Sequence, residues 1–410
     1  GLTSGASGRV SFFNTAGDPR TLSVSVVSSS GSRWSGTLEL GAHQGQIVVP
    51  RTLDPPARVK TKSGHVSTPA LTYATAVQIS GGGVVAEQIE GNASVPCVAQ
   101  GTTRWYAAGF NTLVGSDAYI SLYNPTGTEA VANISALETN GFSAPQAIQG
   151  VSIPAHAQVD VDLGRSIVNT ANVGVDVKVV RGSLAVVGEQ VSGGTLSFDQ
   201  GVGAPSTSSW LPAVTTVANA TAEIRVANPN DTVAHVTASV TLGTYRIAPQ
   251  ATTVAPYSSG LITITPNSAI PADGYASVQV RSNVPVVAGL AAGTSSWFTL
   301  SSPQGPAGVD LVRDYTGQGF DAAEVTNASH HTITVRITTY AASPAQKDVT
   351  TSGVALKALT TVTLASVLGS SLPKPADSYL IVSSKPGAIV TLSLPSSPRG
   401  LFLQSPLDGG

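Results

Sequence analysis

Cysteine and charged residues are both scarce in this sequence of 410 residues. The single cysteine, Cys97, excludes an intramolecular disulfide and a zinc site built from cysteine ligands. Asp, Glu, Lys and Arg make up 11% of the chain, whereas a typical soluble domain has about 25%. The net charge is −2 and no basic stretch is dense enough to follow a phosphate backbone, so nucleic acid is not an expected partner.

Long apolar runs and helical patterns are missing as well. The longest apolar stretches, such as residues 284–292, are far shorter than the ~20 residues that cross a bilayer as a helix. The sequence therefore predicts no transmembrane segment, and an anchor or a secretion signal of the native protein would have to lie outside it. Apolar residues instead alternate with Ser, Thr, Asn and Gln, which is typical of half-buried β-strands.

Three sequence features recur in the same order along the chain, four times each. The first is an asparagine that ends one apolar strand just before another. The second is a small turn between two short strands, which carries His43 in GAHQG and His156 in PAHAQ; we interpret both histidines as turn residues. The third is a closing strand such as GVVAEQ. The asparagines, at spacings of 110, 104 and 99 residues, are Asn14, Asn124, Asn228 and Asn327. The equivalent positions of the closing strand are Val85, Val187, Val287 and Ile389.

This periodicity predicts repeats of ~100 residues. Each repeat offers about seven short strands, which is the size of an immunoglobulin-like sandwich. We therefore predict an all-β protein made of four tandem immunoglobulin-like β-sandwich repeats. A β-propeller is the alternative, although its blades usually repeat every ~40–50 residues. The predicted repeats cover residues 1–96, 97–204, 205–295 and 296–410.

Tryptophan marks the predicted first strand of the three later repeats, at Trp105, Trp210 and Trp297. The first repeat has no such strand in this sequence. The C-terminal tail, residues 400–410, resembles the stretch at Trp297 without its tryptophan. Two interpretations stay open: the tail begins a fifth repeat, or it folds back and supplies the first repeat's missing strand, because an unpaired edge strand invites aggregation.

The sequence contains no HExxH, GxSxG, P-loop or GxGxxG motif, so we predict no catalytic residue, no cofactor and no metal. Two features keep a chemical interpretation. Asp160 and Asp162 share a strand face about 7 Å apart, a pair suited to acid–base catalysis or to calcium, although a solvated strand face is the simpler interpretation. Trp105 could stack on a sugar ring, although packing is the simpler interpretation.

A Glu-Gln pair occurs in the closing strands of the first two repeats only. Alternation along these strands predicts that Gln88 and Gln190 point into the core, hydrogen-bonded to backbone. It places Glu87 and Glu189 on the opposite face, which we expect to pack against the neighbouring repeat. As ionic partners for these two glutamates, we expect an arginine such as Arg104 or Arg181.

One part of the sequence resembles a known family. It reads RWYAAGFNTLVGSDAYISLYNPTGTEAVANISAL, followed by GVSIPAHAQVDVDLG and LAVVGEQVSGG. These motifs are similar to those of the family called domain of unknown function 5719, and the match is best over residues 97–210. The resemblance implies an actinobacterial protein that is secreted or held in the cell envelope, and it provides no catalytic residues.

We therefore expect a non-catalytic extracellular or cell-envelope repeat protein that acts as a scaffold, spacer or adhesion module. The alternative is a glycan-binding accessory protein in envelope polysaccharide assembly, and a glycoside hydrolase built on Asp160 or Asp162 is a third hypothesis. The expected partner is an envelope glycan or an envelope protein. The candidate interaction residues are Trp105, Glu87, Glu189, Asp160 and Asp162.

Overall fold

A computed structural model gives the fold. It describes residues 8–53, 59–60, 66–67, 72–90, 93–98, 100–215, 221–242, 245–246, 248–264, 275–294, 297–301, 309–313, 323–341, 349–350, 353–363, 376–383, 388–393, 401–402 and 405–406. Strands dominate these residues, and the helical segments are a four-residue helix α1 (Pro50–Leu53) and two short 3-10 turns, Gln146–Ile148 and Leu163–Arg165. The predicted all-β class is confirmed.

The strands fall into four groups along the chain, which we call units. The first unit comprises β1 (Arg9–Asn14), β2 (Arg20–Ser28), β3 (Arg33–Leu40), β4 (Gly45–Val48), β5 (Val59–Lys60), β6 (Val66–Ser67), β7 (Tyr73–Ile79), β8 (Val84–Glu90) and β9 (Ala93–Pro96). The second unit comprises β10 (Arg104–Phe110), β11 (Ser116–Tyr123), β12 (Ala130–Glu138), β13 (Gly141–Ser143), β14 (Val151–Ile153), β15 (Gln158–Asp162), β16 (Val173–Arg181), β17 (Ala185–Ser192) and β18 (Thr195–Asp199).

The third unit comprises β19 (Ser206–Thr215), β20 (Thr221–Asn228), β21 (Ala234–Leu242), β22 (Tyr245–Arg246), β23 (Gln250–Val254), β24 (Ser258–Ile264), β25 (Tyr275–Thr294) and β26 (Trp297–Ser301). The fourth unit comprises β27 (Val309–Arg313), β28 (Ala323–Asn327), β29 (Ile333–Ala341), β30 (Val349–Thr350), β31 (Val354–Leu356), β32 (Thr361–Thr363), β33 (Ala376–Ser383), β34 (Ala388–Ser393), β35 (Leu401–Phe402) and β36 (Ser405–Pro406).

Strand pairing follows a common order in these units. In the second unit, one sheet has the order β10-β16-β12, with β13 and β14 also paired to β12, and the other has the order β15-β11-β17-β18. Apolar side chains from both sheets, such as Ile134 and Ile120, share one buried core. The long strand β25 takes part in both sheets of the third unit, pairing with β19 and β21 over its first half and with β20 and β26 over its second. The immunoglobulin-like classification of the units stays a prediction, as do the repeat boundaries.

The asparagine that ends a strand holds the same hydrogen-bond network in every unit. Nδ2 of Asn124 lies 2.7 Å from the Thr128 carbonyl oxygen, 3.0 Å from that of Ile153 and 3.1 Å from that of Pro154, while its Oδ1 accepts the Thr126 backbone N–H at 2.9 Å. One buried side chain therefore ties its own strand end to a turn about 30 residues later. The residues with matching contacts are Asn14, Asn228 and Asn327.

The partner turn also recurs. In each unit, one non-glycine residue of this turn has a positive φ, and its backbone N–H donates to the carbonyl two residues after the asparagine. Left-handed backbone suits a tight turn and is uncommon for side chains with a Cβ. The interpretation of His43 and His156 as turn residues is confirmed. The positive-φ residues of these four turns are His43 (54°), His156 (53°), Tyr257 (50°) and Leu359 (56°).

Two strands that the sequence analysis considered, at Trp297 and in the C-terminal tail, have different neighbours in the structure from those we expected. The strand at Trp297, which we predicted to open the fourth repeat, is hydrogen-bonded to β25 of the third unit. In the described residues of the C-terminal tail, β35 pairs with β34 and β36 pairs with β27, both in the fourth unit, and neither lies along β7. The tail and the Trp297 stretch occupy equivalent positions, because β26 and β35 each pair with the closing strand of their own unit. Phe402 also lies opposite Ser94 in a parallel bridge that joins the fourth unit to the first.

The register of the closing strand differs in the second unit. The residue before the asparagine lies opposite Val85, Val287 and Ile389 in the other three units. In the second unit, Tyr123 instead lies opposite Ala185, two residues before the Val187 that the sequence made equivalent. A shift of two leaves every side chain on its original face, so the predicted inward and outward positions are unaffected.

Candidate functional site

The Glu-Gln pair of β17 divides between two environments, as alternation predicts. Gln190 is completely buried. Its Oε1 accepts the Asn111 backbone N–H at 2.8 Å, and its Nε2 donates to the carbonyl oxygens of Asn111 at 3.0 Å and Asp117 at 3.1 Å. The prediction that Gln190 bonds to backbone is confirmed, and its role is to fix the turn between β10 and β11. Gln88 is also buried.

Glu189 lies on the opposite face, in a polar network between the first and second units. The Ser121 hydroxyl lies 3.2 Å from Glu189 Oε1 and 2.7 Å from Asp160 Oδ1. Asp160 also accepts from Gln158 Nε2 at 2.8 Å and from the Thr72 hydroxyl, which belongs to the first unit, at 2.6 Å. These contacts make Asp160 a structural bridge between units.

The same face carries apolar contacts to the first unit. Val187 packs in a cluster with Phe198 and with Val95 of the first unit. Val98, which follows β9, packs against the same cluster. We call such a contact surface between two units a seam. The Arg33 side chain also crosses the seam between the first and second units, donating from Nη2 to the Ala155 carbonyl oxygen at 2.9 Å. The glutamate face of β17 therefore does pack against a neighbouring unit, and that neighbour precedes it in the chain.

The two arginines that we named as candidate partners of the glutamates, Arg104 and Arg181, each pair with another carboxylate. Arg104 Nη2 forms an ion pair with Asp176 at 2.7 Å, across the adjacent strands β10 and β16, and this hydrogen-bonded carboxylate raises the pKa of Arg104. Arg181 pairs with Glu129. Both arginines lie on the other sheet of the second unit, and cross-strand neighbours reach them first. Glu87 is nevertheless buried, like Glu189.

The remaining candidates also have structural roles. Asp162 forms an ion pair with Arg165 at 3.1 Å within the turn that follows β15. Trp105 is 3% exposed in the core of the second unit, and its Nε1 donates to the Gln200 carbonyl oxygen at 2.6 Å. A ring covered on both faces has no surface for a sugar. The Trp297 side chain lies outside the described residues.

A seam between the second and third units holds a buried arginine that the sequence did not single out. Arg225 on β20 is 6% exposed, and its guanidinium donates to the carbonyl oxygens of Gly109, at 2.8 Å, and Ala171 in the second unit. It also donates to Glu223 at 2.8 and 3.0 Å. Burial lowers the pKa of Arg225, and the neighbouring Glu223 opposes that effect. A further hydrogen bond across this seam runs from Asn172 Nδ2 to the Gly260 carbonyl oxygen, at 3.1 Å.

Close apolar packing accompanies Arg225 at this seam. Tyr106, Ala108 and Leu137 of the second unit pack with Ala227 and Val287 of the third. A Cβ added to Gly174 would lie 2.4 Å from the Ala227 Cβ and 3.3 Å from the Leu137 Cβ. The two sheets therefore approach too closely for any larger residue at this position. At the next seam, between the third and fourth units, Trp210 packs with Ala328, and the hydroxyls of Ser277 and Thr326 lie 2.6 Å apart.

Two carboxylates lie close together at the contact between the first and second units. Asp160 and Glu189 contact the same Ser121 hydroxyl; Glu189 is 0% exposed, whereas Asp160 is half-buried and accepts a hydrogen bond from Thr72. Within the described ranges, no three His, Cys, Asp or Glu side chains are grouped for a metal ion. In the same part of the chain, no helix has the length and apolarity to cross a membrane.

Comparisons with known proteins identify the family without an activity. No curated protein matches the chain. Among solved structures, the "Crystal Structure of Thermotoga maritima 1070" is similar over 24% of this chain and 94% of that chain, with 16% identity and a TM-score of 0.22. The "Crystal structure of tetra-tandem repeat in extending region of large adhesion protein" covers 96% of this chain and 93% of that chain, with 11% identity and a TM-score of 0.13. Neither likeness is close enough to carry an argument about fold or function. The family model for the "Family of unknown function (DUF5719)" matches residues 53–367, so the chain belongs to that family.

Proposed function

We propose that this protein is a non-catalytic scaffold, spacer or interaction module of the cell envelope or the extracellular space. The observation that carries the proposal is that the side chains best suited to catalysis or ligand binding take part in packing instead. Asp160 and Glu189 lie in the seam between the first two units, and Trp105 fills a core. Residues held in this way stabilise an arrangement of units.

The contacts at the seams favour a rigid arrangement of the units rather than domains joined by flexible linkers. Domains joined by mobile linkers usually share small, polar interfaces. Here Arg225 is buried across one seam, Trp210 across another, and Thr72 bonds across a third. A scaffold with fixed spacing is the function that such packing serves.

A glycan-binding role is the second candidate, because two exposed aromatic rings lie side by side. Phe142 of the second unit is 56% exposed and Tyr257 of the third is 45% exposed, with ring centroids 6.4 Å apart. Exposed aromatic rings and a tyrosine hydroxyl suit the apolar and polar faces of a sugar. A glycan array of envelope polysaccharide fragments tests this candidate: wild type should bind and Phe142→Ala/Tyr257→Ala should not, whereas equal binding by both proteins would reject it.

The scaffold proposal is tested by opening one seam in the organism that makes the protein. Gly174→Val forces the second and third units apart, because the new side chain overlaps Ala227. The matched control is Gly203→Val, since a Cβ at Gly203 meets nothing within 4 Å. We expect envelope or extracellular location for all three proteins, and loss of function equal to gene deletion for Gly174→Val alone.

Two results would overturn the proposal. One is cytoplasmic location of the wild-type protein. The other is full function of a Gly174→Val protein whose scattering profile shows the two units separated, because rigidity would then be irrelevant to the role.

A further inference from the structure

Two loops at one end of the second unit each expose a valine. Val114 lies between β10 and β11 and is 98% exposed, and Val168 lies between β15 and β16 and is 73% exposed. The two loops are at the same end because Phe110, the last residue of β10, pairs with Val173, the first residue of β16. Single exposed valines are ordinary, whereas a pair on one surface points to a contact.

Hydrogen bonds hold the two loops together. The backbone N–H of Thr112 donates to the Thr170 carbonyl oxygen at 2.9 Å, and the Asn169 N–H donates to the Thr112 carbonyl oxygen at 3.3 Å. The Thr112 hydroxyl accepts the Thr170 backbone N–H at 3.1 Å. Each valine is two residues away from one of these threonines, so both belong to one surface. We call Val114 and Val168 together the apolar tip.

The turn that carries Val114 is fixed in its shape. The Ser116 backbone N–H donates to the Leu113 carbonyl oxygen at 2.9 Å, and Gly115 has a φ of 88°. These are features of a type II turn, in which Val114 occupies a corner. The apolar side chain is therefore presented by a preformed backbone, and binding through it orders little additional chain.

The charged groups near the apolar tip are mostly acidic. Asp117 is exposed at the start of β11, and Glu138 Oε2 accepts from the Thr170 hydroxyl at 3.2 Å. The basic side chain of the two loops, Arg165, is paired with Asp162. A lipid surface without net charge suits this balance better than an anionic one, which binds clusters of lysine and arginine.

We propose that the apolar tip inserts into a lipid surface with zwitterionic headgroups. Val114 is exposed almost completely at the corner of a turn, which suits insertion between lipids, whereas a flat protein interface would need a pocket to receive it. Transfer of the two side chains into the acyl boundary supplies the binding free energy. This contact goes beyond the scaffold role and does not depend on it, and neither valine belongs to the aromatic pair of Phe142 and Tyr257.

Flotation of the intact protein with phosphatidylcholine vesicles tests the proposal. We expect the wild-type protein to float with the vesicles, and Val114→Ser/Val168→Ser to bind at least about tenfold more weakly. The matched control is Val180→Ser, at a valine that is 52% exposed near the opposite end of β16, and it should bind like the wild type. Both variants should keep the wild-type Tm, because they replace exposed side chains.

Two further measurements sharpen the test. Val114→Trp should bind more tightly than the wild type, because an indole ring prefers the membrane interface. Addition of anionic phosphatidylglycerol to the vesicles should not strengthen binding, since the acidic groups lie beside the apolar tip.

Three results would overturn the proposal. The first is a wild-type protein that does not bind the vesicles, including one that instead self-associates through the two valines. The second is equal binding by the wild type and by Val114→Ser/Val168→Ser, because the contact would then lie elsewhere. The third is binding that requires anionic lipid. Each of these results leaves the scaffold proposal standing, since the seams do not involve the apolar tip.

Discussion

Asn124 illustrates how much one side chain contributes to this fold. It is completely buried, and its amide reaches three carbonyl oxygens that no apolar residue could satisfy. The equivalent asparagines repeat the arrangement, so the amide is a structural requirement of each unit. Asparagine suits the position because one side chain carries both donors and an acceptor.

The Asn124→Asp substitution tests this role. It replaces two N–H donors by a carboxylate oxygen that faces the carbonyls of Ile153 and Pro154, and we expect a loss of at least about 3 kcal/mol in the free energy of unfolding. Chemical denaturation measures the loss. The control Asn140→Asp changes an exposed residue and should cost less than about 0.5 kcal/mol; similar losses for both variants would contradict the account.

Cys97 provides a second prediction at the residue scale. Burial, reinforced by the negative charge of Glu87, raises the pKa of its thiol to about 12. The reactive thiolate is therefore nearly absent at pH 8 in the folded protein. We expect negligible labelling by a disulfide reagent in the native state and complete labelling in urea. Rapid labelling of the native protein at pH 8 would show that the thiol is neither covered nor shifted.

The seams between sheets are the features of interest at the scale of elements. Arg225 joins β20 to the end of β10 and to the residues before β16. A buried guanidinium is costly unless its donors are satisfied, and here the carbonyls of Gly109 and Ala171 and the Glu223 carboxylate satisfy them. The third unit is thereby fixed in position on the second.

Replacing Arg225 with Met should cost about 3 kcal/mol in unfolding free energy, because Glu223 and two carbonyls lose their partner. The control is Arg281→Met, at an exposed residue of β25, for which we expect less than about 0.5 kcal/mol. Thermal unfolding of both variants gives the comparison. An Arg225→Met protein as stable as wild type would mean that this seam contributes little.

The sequence predicts individual elements better than their neighbours. Strand alternation located Gln190 in a core, and the asparagine spacing located one equivalent strand end in each unit. The contacts of Glu189 with Ser121 and of Asp160 with Thr72 were not predictable, because these hydroxyl groups come from residues far away in the chain. The sequence analysis does not identify strand β18, although the sequence around its Phe198 is similar to that around Phe298 of β26. If these two stretches are taken as equivalent, Trp297 belongs to the end of the third unit. The two-residue shift of β17 leaves no sequence signal, since both registers preserve the same faces.

At the scale of the whole molecule, the seams connect the units in series. Thr72 and Asp160 link the first to the second, Arg225 links the second to the third, and Ser277 with Thr326 links the third to the fourth. The bridge between Phe402 and Ser94 then returns to the first unit. Stability in such a chain depends on the interfaces as well as on the units, as in repeat proteins.

The central claim is that these seams make the units one cooperative body. Calorimetric unfolding tests it directly, by comparing the calorimetric enthalpy with the van't Hoff enthalpy of the same transition. We predict a single transition in which the two enthalpies agree for the wild-type protein and for Gly203→Val, and a split transition for Gly174→Val. Several separate transitions in the wild-type protein, or a calorimetric enthalpy several times the van't Hoff value, would contradict the account.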